Sequence, residues 1–249
     1  MSTAGNIRLF VERDYLAMSA LAETLITDSI QEKLSDQEHV TLMPSAGGTP
    51  ERLYRNLRER QKTTIDWSRI VVFQMDEYLD LPPNDPHSLA NFLLTEFIIP
   101  LNIKRYCLFN DRTGNLRHDL REYERIIEQT NGIDIMILGI GQNGHLGFNE
   151  PGSTFDSTTR IVDLSESTIT ANSRFFDEDA SLVPRKGITI GLRSVLNAKQ
   201  NFLLASGAMK RTAISSALNG PVTTQVPASI LRLHANARAI VDEEAAANG

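Results

Sequence analysis

The sequence is poor in cysteine and has no long apolar run. Its single cysteine, Cys107, cannot form a disulfide within the chain or supply the several thiolates of a cysteine-rich zinc site. No stretch approaches the roughly 18 consecutive apolar residues from which a transmembrane helix is inferred. The N-terminus also lacks the cationic and apolar segments of a secretory signal. We therefore expect a cytoplasmic protein that does not enter a membrane.

Clustered positive charge and closely spaced histidines are also missing. Lys and Arg number 25 against 31 Asp and Glu, and no basic run is present, so neither nucleic acid nor an anionic membrane is an expected partner. The five histidines are scattered at positions 39, 87, 118, 145 and 234, and no close pair has the spacing of metal ligands. The sequence thus predicts no metal site.

What the sequence does have is a regular alternation of short apolar runs and amphipathic segments. This alternation is typical of α/β proteins with a mostly parallel sheet and helices on both faces. The 249 residues suffice for one sizeable core, and no linker rich in Pro, Gly or Ser divides them, so we predict one domain over residues 1–249. Strands are predicted at residues 7–11, 40–43, 70–73, 105–109, 135–138, 188–190, 202–205 and 237–241. Helices are predicted after Asp14 and after Thr49, and over residues 88–97, 116–129, 168–176, 209–218 and 227–234.

A glycine-rich stretch at residues 133–152 is the strongest candidate for a functional loop. An apolar strand at 135–138 runs into a turn with three glycines, and His145, Asn149 and Glu150 follow. In open α/β sheets, ligands bind outside the carboxyl ends of the strands. A histidine can exchange protons near neutral pH, and a carboxylate can orient it. The alternative is a flexible loop with a surface histidine.

A second glycine turn follows the predicted strand at residues 40–43. Gly47 and Gly48 let the backbone turn tightly, Thr49 is a good helix N-cap, and Pro50 suits the first helical position. A strand, a glycine turn and a helix N-terminus together form an anion site, for which phosphate is the natural guest. The sequence has neither the Gly-Lys-Ser/Thr of a nucleotide P-loop nor the third glycine of a dinucleotide fingerprint. The alternative is an ordinary capped turn.

Two adjacent acids, Asp76 and Glu77, follow the strand predicted at residues 70–73. Because neighbouring side chains of an extended chain point to opposite faces, we expect one of them to face a given cleft. That carboxylate could be a general base whose pKa is tuned by burial. The alternative is a loop acid that pairs with a nearby base.

Two cations, Arg174 and Lys210, complete the candidate site. Arg binds phosphate through its fork of N–H groups, and Lys binds it as a point charge. The alternative for each cation, taken alone, is a solvated charge on the surface. Lys210, however, follows the strand predicted at 202–205, at the same edge of the sheet as the other candidates.

Four blocks of this sequence resemble glucosamine-6-phosphate deaminases, and the likeness runs from about residue 8 to residue 242. The blocks are FQMDEY at 73–78, LGIGQNGH at 138–145, FNEPG at 148–152 and ANSRFF at 171–176. The resemblance implies a modified Rossmann-like fold and a reaction without a cofactor. The substrate would be a hexosamine phosphate. The enzyme would open its ring, isomerise the aldose to a ketose, and release ammonia to give fructose 6-phosphate.

The resemblance also implies a role for each candidate residue. His145 would move the ring-oxygen proton, with Asn143 and Glu150 holding and tuning it. Asp76 would carry a proton from C2 to C1, and residues 154–186 would form a lid over the carboxyl ends of the strands. We call residues 154–186 the lid segment. The residues that would hold the phosphate are Gly47, Gly48, Thr49, Arg174 and Lys210.

The chain departs from the family pattern at several positions. Asn143 stands where the best-known members have aspartate, and Ala46 replaces a common threonine. Val162 replaces the lysine of allosterically regulated members, which argues against activation by N-acetylglucosamine 6-phosphate. The tail is short as well, which leaves open whether the protein forms a homo-oligomer. Residues 226–231 (VPASIL) also resemble galactosamine-6-phosphate deaminases, so the C4 epimer is an alternative substrate.

Two other functions are also consistent with the sequence. One is a 6-phosphogluconolactonase, because the GxGxxGH block is shared with that part of the superfamily. The other is a non-catalytic sugar-phosphate sensor, since a fold can bind a ligand without turning it over.

Overall fold

A computed structural model of the protein describes residues 2–4, 7–82, 85–109 and 115–246. Strands and helices alternate along the described chain, as the sequence predicted. The strands are β1 Ser2–Ala4, β2 Ile7–Glu12, β3 Val40–Pro44, β4 Ile70–Phe73, β5 Asp76–Tyr78, β6 Arg105–Cys107, β7 Ile135–Gly139, β8 Arg160–Asp163, β9 Lys186–Thr189, β10 Asn201–Ala205 and β11 Ala237–Asp242. The α-helices are α1 Tyr15–Asp36, α2 Glu51–Arg60, α3 Leu89–Leu93, α4 Leu116–Gln129, α5 Glu166–Asn172, α6 Leu192–Asn197 and α7 Arg211–Asn219.

The main sheet has eight strands in the order β1-β2-β11-β10-β7-β3-β4-β6. All neighbours from β2 to β6 in this order are parallel, and β1 pairs antiparallel with β2. The predicted mostly parallel sheet is confirmed. Strands β10, β7, β3 and β4 are direct neighbours, so the loops that follow them emerge side by side at one edge of the sheet.

Helices cover both faces of this sheet, as predicted. Helices α1 and α2 pack on one face, where Ile26 and Leu57 join a core that also contains the inward side chains of β3, β4 and β7. Helices α4, α6 and α7 pack on the other face, around Met136 and Leu203. The sheet is therefore buried on both sides, which explains why its central strands are nearly continuous apolar runs.

A second, three-stranded antiparallel sheet was not predicted. Its order is β5-β9-β8, and β9 contains most of the strand predicted at residues 188–190. Strands β5 and β8 are short and rich in charge (DEY and RIVD), so their sequences carry no strand signal. Because β5 follows β4 after two residues, this sheet extends from the carboxyl edge of the main sheet.

The helix caps were predicted with mixed success. Asp14 caps α1 by accepting from Ala17 N at 2.8 Å, and Ser88 caps α3 by accepting from Asn91 N at 3.0 Å. The prediction that Thr49 caps α2 is wrong. Pro50, already near helical angles at φ −83° and ψ −6°, takes that position, and no side chain caps this helix.

Several boundaries also differ from the prediction. The strand predicted at 105–109 ends at Cys107, and the helix predicted at 168–176 begins at Glu166 and ends in a 3-10 turn, Ser173–Phe175. The segment predicted as a helix at 227–234 is a 3-10 helix, Pro227–Leu233. The sequence also predicts a proline-rich loop at residues 81–86 and a polar tail at the end of the chain. Residues 83, 84 and 247–249 within these segments lie outside the described residues. None of the helices described is long and apolar enough to cross a membrane.

Candidate active site

A cleft of about 280 Å³ opens at the carboxyl edge of the main sheet. The loops after β3, β4, β7 and β10 form its floor, and α5 with the turn after it closes one side. Of the nine residues to which the resemblance assigns a role in the site, eight line this cleft. They are Gly47, Gly48, Thr49, Asp76, Asn143, His145, Arg174 and Lys210. Glu150 does not line it, but contacts Asn143 and His145 from behind.

The turn at Gly47 and Gly48 is open toward the cleft. Gly47 has φ +108°, a conformation that glycine adopts without strain, and a Cβ added to either glycine would meet nothing within 4 Å. Tyr15 fixes this turn: its hydroxyl donates to Gly48 O at 3.0 Å and accepts from Arg52 N at 3.1 Å. The backbone is thus held rigidly, with space beside it for an anion. No pattern in the sequence singles out Tyr15.

Lys210 and Arg174 carry positive charge into the same cleft. Lys210 Nζ donates to Ile140 O at 2.6 Å, and the guanidinium of Arg174 lies 4.6 Å from the ring centre of Phe175. Across residues 7–82, 85–109 and 115–246, neither cation forms an ion pair with a carboxylate. Burial, together with the charge of Arg174, lowers the pKa of Lys210 to about 8. Two unpaired cations beside an open glycine turn favour an anionic ligand.

Asp76 is a buried carboxylate at the floor of the cleft. Burial, and then the charge of neighbouring Glu77, raises the pKa of Asp76 to about 7. No donor from the described part of the chain contacts its carboxylate. Asp76 Oδ2 lies 3.5 Å from where a Cβ of Gly147 would be, so this carboxylate lies against the loop that carries His145. A buried acid with a pKa near neutrality can act as a general base.

Glu77 points away from the cleft, as the alternation along the chain predicted. Its two carboxylate oxygens accept from the backbone N–H groups of Tyr78, Leu89 and Ala90 and from the side chain of Gln74, at 2.8–2.9 Å. The predicted alternative of a loop acid paired with a base is therefore wrong for Glu77. It is satisfied by amide donors, and it ties β5 to the first turn of α3.

His145, Asn143 and Glu150 form a connected group in the loop after β7. Asn143 Nδ2 donates to Glu150 Oε2 at 2.7 Å, and Asn143 Oδ1 accepts from His145 N at 3.2 Å. His145 Nδ1 lies 3.5 Å from Glu150 Oε2. Asn143 thus holds the carboxylate with its amide and the histidine backbone with its carbonyl.

Three residues of the lid segment extend this group, and sequence reasoning missed all of them. Thr168 Oγ1 lies 3.2 Å from His145 Nδ1 and donates to Glu150 Oε1. Ser165 N donates to the same carboxylate oxygen at 3.3 Å, and Asn143 Nδ2 donates to Ser167 Oγ at 3.2 Å. The helical spacing of Thr168, Ala171 and Asn172, which face the cleft together, is the signal that could have found Thr168.

The environment of Glu150 favours its ionised form. Burial acts to raise its pKa, but the hydrogen bond and charge of His145, with the donors Thr168 and Asn143, outweigh burial and lower the pKa of Glu150 to about 2. The carboxylate is therefore charged at neutral pH and can only accept hydrogen bonds.

Asn149 does not face a ligand, although the sequence grouped it with His145 and Glu150. It is fully buried, and its amide donates to Leu146 O at 3.0 Å and to Ile190 O at 2.8 Å. Its carbonyl accepts from Arg160 at 2.9 Å. Asn149 therefore fixes the loop to β8 and to the residue that follows β9.

A small apolar core holds the lid segment against the cleft. Tyr78 and Phe148 pack with Phe176, and the ring centres of Tyr78 and Phe176 lie 5.4 Å apart in an edge-on arrangement. The Tyr78 hydroxyl accepts from Asn172 at 2.8 Å. The FNEPG and ANSRFF blocks are thus packed against each other.

Among the described residues, no group of three or more His, Cys, Asp or Glu side chains is arranged to hold a metal ion.

Comparison with known proteins identifies the family of this chain. The family of glucosamine-6-phosphate isomerases/6-phosphogluconolactonase matches residues 13–240. The glucosamine-6-phosphate deaminase of Thermoanaerobacter pseudethanolicus is 41% identical over 243 residues, which cover 96% of this chain and 94% of that protein. Glucosamine-6-phosphate deaminase 2 of Bacillus subtilis is 40% identical over 244 residues, 96% of each chain.

Solved structures place the fold in the same group. A monomeric glucosamine-6-phosphate deaminase has a TM-score of 0.90 at 34% identity, covering 96% of this chain and 98% of that one. The 6-phosphogluconolactonase of Thermotoga maritima shares the fold, with a TM-score of 0.76 at 19% identity over 95% of this chain and 100% of that one. The chain therefore belongs to the family of glucosamine-6-phosphate isomerases and 6-phosphogluconolactonases.

Proposed function

We propose that this protein converts glucosamine 6-phosphate and water to fructose 6-phosphate and ammonia. One observation carries the proposal: a buried carboxylate, Asp76, with a pKa raised to about 7, lies against the His145 loop in a cleft that also holds two unpaired cations. Hydrolysis of a lactone needs no base at C2, so Asp76 favours the deaminase over the lactonase. The names of the relatives at 40–41% identity support the same choice.

The phosphate is the anchor of the proposed substrate. Lys210 and Arg174 supply positive charge, and the open turn at Gly47 and Gly48 supplies backbone N–H groups, with Thr49 beside it in the cleft lining. Binding the phosphate at one end places the reacting carbons near the side chains at the other end. Orientation of this kind contributes much of the rate of an enzyme that acts on a small substrate.

His145 opens the sugar ring in the proposed mechanism. It removes the proton of the C1 hydroxyl and returns a proton to the ring oxygen, which breaks the bond between C1 and that oxygen and leaves an aldehyde at C1. Asn143 and Glu150 hold the imidazole and keep a negative charge beside it. Because Glu150 does not line the cleft, it acts through His145.

Asp76 then moves a proton between two carbons. Its carboxylate takes the proton from C2, and the C1 oxygen takes a proton from the ammonium group of the substrate. The product is an enol-amine with a hydroxyl at C1. The same carboxyl group returns the proton to C1, which leaves an iminium at C2. Water adds to the iminium and ammonia leaves, giving the ketone. One water is consumed, and no oxidant or reductant is required. These steps use only protein side chains and water.

The proposal treats the chain as one domain that works alone. Every residue assigned a role belongs to the one chain described, and the lid segment closes one side of the cleft. A solved relative at 34% identity is described as monomeric, which supports a site built by a single chain.

The C4 epimer is the second candidate substrate. Residues of the VPASIL segment touch the His145 loop: Ala228 N donates to Gly144 O at 2.9 Å, and Val226 Cγ1 lies 3.0 Å from where a Cβ of Gly144 would be. A coupled assay of ammonia release that compares the 6-phosphates of glucosamine and galactosamine tests the proposal. We expect faster release from glucosamine 6-phosphate; release from neither would reject the proposed function.

A further inference from the structure

Among the contacts between the lid segment and the loop after β7, one hydroxyl group touches both His145 and Glu150. Thr168 on α5 lies between His145 and Glu150, which both belong to the loop after β7. Thr168 is 2% exposed. Its hydroxyl has three polar neighbours: His145 Nδ1 and Glu150 Oε1 on the loop, and Ser165 Oγ, which donates to it at 3.1 Å. The two neighbours on the loop decide where its own proton points.

The direction of these hydrogen bonds follows from the charge of Glu150. An ionised carboxylate can only accept, so the single proton of the Thr168 hydroxyl points to Glu150 Oε1. The hydroxyl oxygen must then accept from His145 Nδ1, at 3.2 Å. The other neighbour of Nδ1 is Glu150 Oε2, at 3.5 Å, which is also an acceptor. The network thus assigns the proton of the neutral imidazole to Nδ1 and leaves Nε2 unprotonated.

We propose that Thr168 is a positioning residue that fixes the His145 tautomer from the lid segment, so that Nε2 is ready to exchange a proton with the substrate. In many catalytic sites a carboxylate accepts a hydrogen bond from Nδ1 of the histidine directly. Here the hydroxyl of Thr168 takes that position. The direct contact between His145 and Glu150 is 3.5 Å here, longer than a strong hydrogen bond, so it constrains the imidazole only weakly. Thr168 fills that gap.

A link between the lid segment and catalysis follows. The contacts of Thr168 exist only while α5 lies against the loop after β7, because the two partners belong to different segments of the chain. Ser165 on the same side of the lid segment adds a backbone donor to Glu150 at 3.3 Å. When α5 moves away, the carboxylate loses both donors and His145 loses its tautomer constraint. Proton transfer by His145 is therefore coupled to closure.

The test uses two substitutions at position 168 and a control on the same helix. Thr168→Val keeps the shape of the side chain but removes the hydroxyl, and Thr168→Ser keeps the hydroxyl. Thr170→Val makes the same change at an exposed position of α5 and controls for the effect on the helix. Thermal unfolding of all variants checks that each one folds.

Nuclear magnetic resonance of the ¹⁵N-labelled histidines reports the tautomer without substrate. The His145 signals are identified by their loss in His145→Gln. We expect the wild type, Thr168→Ser and Thr170→Val to show the proton at Nδ1. In Thr168→Val the two nitrogens should move toward an average of both tautomers. An unchanged Nδ1–H signal in Thr168→Val would overturn the proposal.

Kinetics provide the second readout, which rests on the proposed function. Thr168→Val should lower kcat by about 10- to 100-fold, the scale at which losing an outer hydrogen-bond partner lowers activity. KM should change little, since the phosphate contacts remain, and the pH profile of kcat should shift. Wild-type kcat and pH profile in Thr168→Val would contradict the inference. If the wild type shows no turnover of glucosamine 6-phosphate, the proposed function is rejected. The tautomer measurement does not depend on turnover and would still decide the role of Thr168.

Discussion

The imidazole ring of His145 lies directly over the backbone of Gly141. A Cβ on Gly141 would be 2.3 Å from Cε1 of the ring and 2.4 Å from each ring nitrogen, distances that real Cβ atoms do not reach. The two residues also share a backbone hydrogen bond, from Gly141 N to His145 O at 3.0 Å. The glycine in the middle of the GIGQNGH block therefore provides the space in which His145 lies.

Gly141→Ala should accordingly remove activity while leaving most of the fold intact. The methyl group forces the imidazole away from its place, and a displacement of about 1 Å can lower a rate by about 100-fold. Steady-state kinetics with glucosamine 6-phosphate should show a fall in kcat of at least that order, with a small change in KM. Overpacking is expected to cost about 1–3 kcal/mol of unfolding free energy.

Gly139→Ala is the control for stability, because a Cβ there would meet nothing within 4 Å. This variant should melt close to the wild type. Wild-type kcat in Gly141→Ala would mean that the place of His145 over Gly141 has no bearing on the reaction.

Asp76→Asn should stabilise the protein at pH 8, and the gain should fade as the pH falls. Burial raises the pKa of Asp76 from 3.8 to about 7, so between these values the folded state binds more protons than the unfolded state. Stability due to this group therefore falls as the pH rises from about 4 to about 7, and it stays low above that. Urea unfolding at pH 4 and pH 8 measures the difference, which should reach a few kcal/mol at most.

Asp36→Asn serves as the matched control, since Asp36 is an exposed residue at the end of α1. Its effect on stability should be small at both pH values. Equal effects of the two substitutions at pH 8 would show that Asp76 is not destabilised by burial.

Lys210→Arg should change the alkaline side of the pH profile. Burial and Arg174 lower the pKa of Lys210 to about 8, so the wild type loses this positive charge as the pH rises through that value. Arginine remains charged. The ratio of wild-type to variant kcat/KM should fall between pH 7 and pH 9, and using a ratio cancels the titration of the substrate itself. A ratio that does not vary with pH would exclude titration of Lys210 in substrate binding.

Asn143→Asp tests the group around His145. The substitution replaces a donor 2.7 Å from Glu150 with a second carboxylate, and two carboxylates in contact disfavour full ionisation. The pair of carboxylates at positions 143 and 150 should then bind a proton more readily. The limb of the pH–rate profile that reflects this protonation should move to higher pH. Asn219→Asp, at the exposed end of α7, controls for added charge. If the profiles of both variants match the wild type, Asn143 does not tune the histidine.

Most of the fold could be predicted from the sequence because its signals are local. The apolar runs of β3, β4, β7 and β10 are buried on both faces, which makes them recognisable without knowing their partners. The same signals located the site, since ligands bind at the carboxyl ends of such strands. Asp76, His145 and Lys210 could be selected because each follows one of these runs.

The contacts that the sequence did not predict depend on distant parts of the chain. Tyr15 reaches Gly48 across 33 residues, and Thr168 reaches His145 across 23. Glu77 is satisfied by amides of α3, which lie 12 and 13 residues further on. No local pattern reveals the partners of Tyr15 and Glu77. The helical spacing that places Thr168 on the cleft side of α5 does not show that it contacts His145. The short strands β5 and β8 escaped for the same reason, because pairing with β9 rather than hydrophobicity defines them.

Asp76 is the proposed base of an amino-sugar-phosphate deaminase. The direct measurement is ammonia release and fructose 6-phosphate formation from glucosamine 6-phosphate, for the wild type and Asp76→Asn, with substrate binding measured in parallel by calorimetry. We predict equal amounts of the two products from the wild type, and bound substrate without turnover for Asp76→Asn. Turnover by Asp76→Asn at the wild-type rate, or tight binding without turnover by the wild type, would contradict the claim.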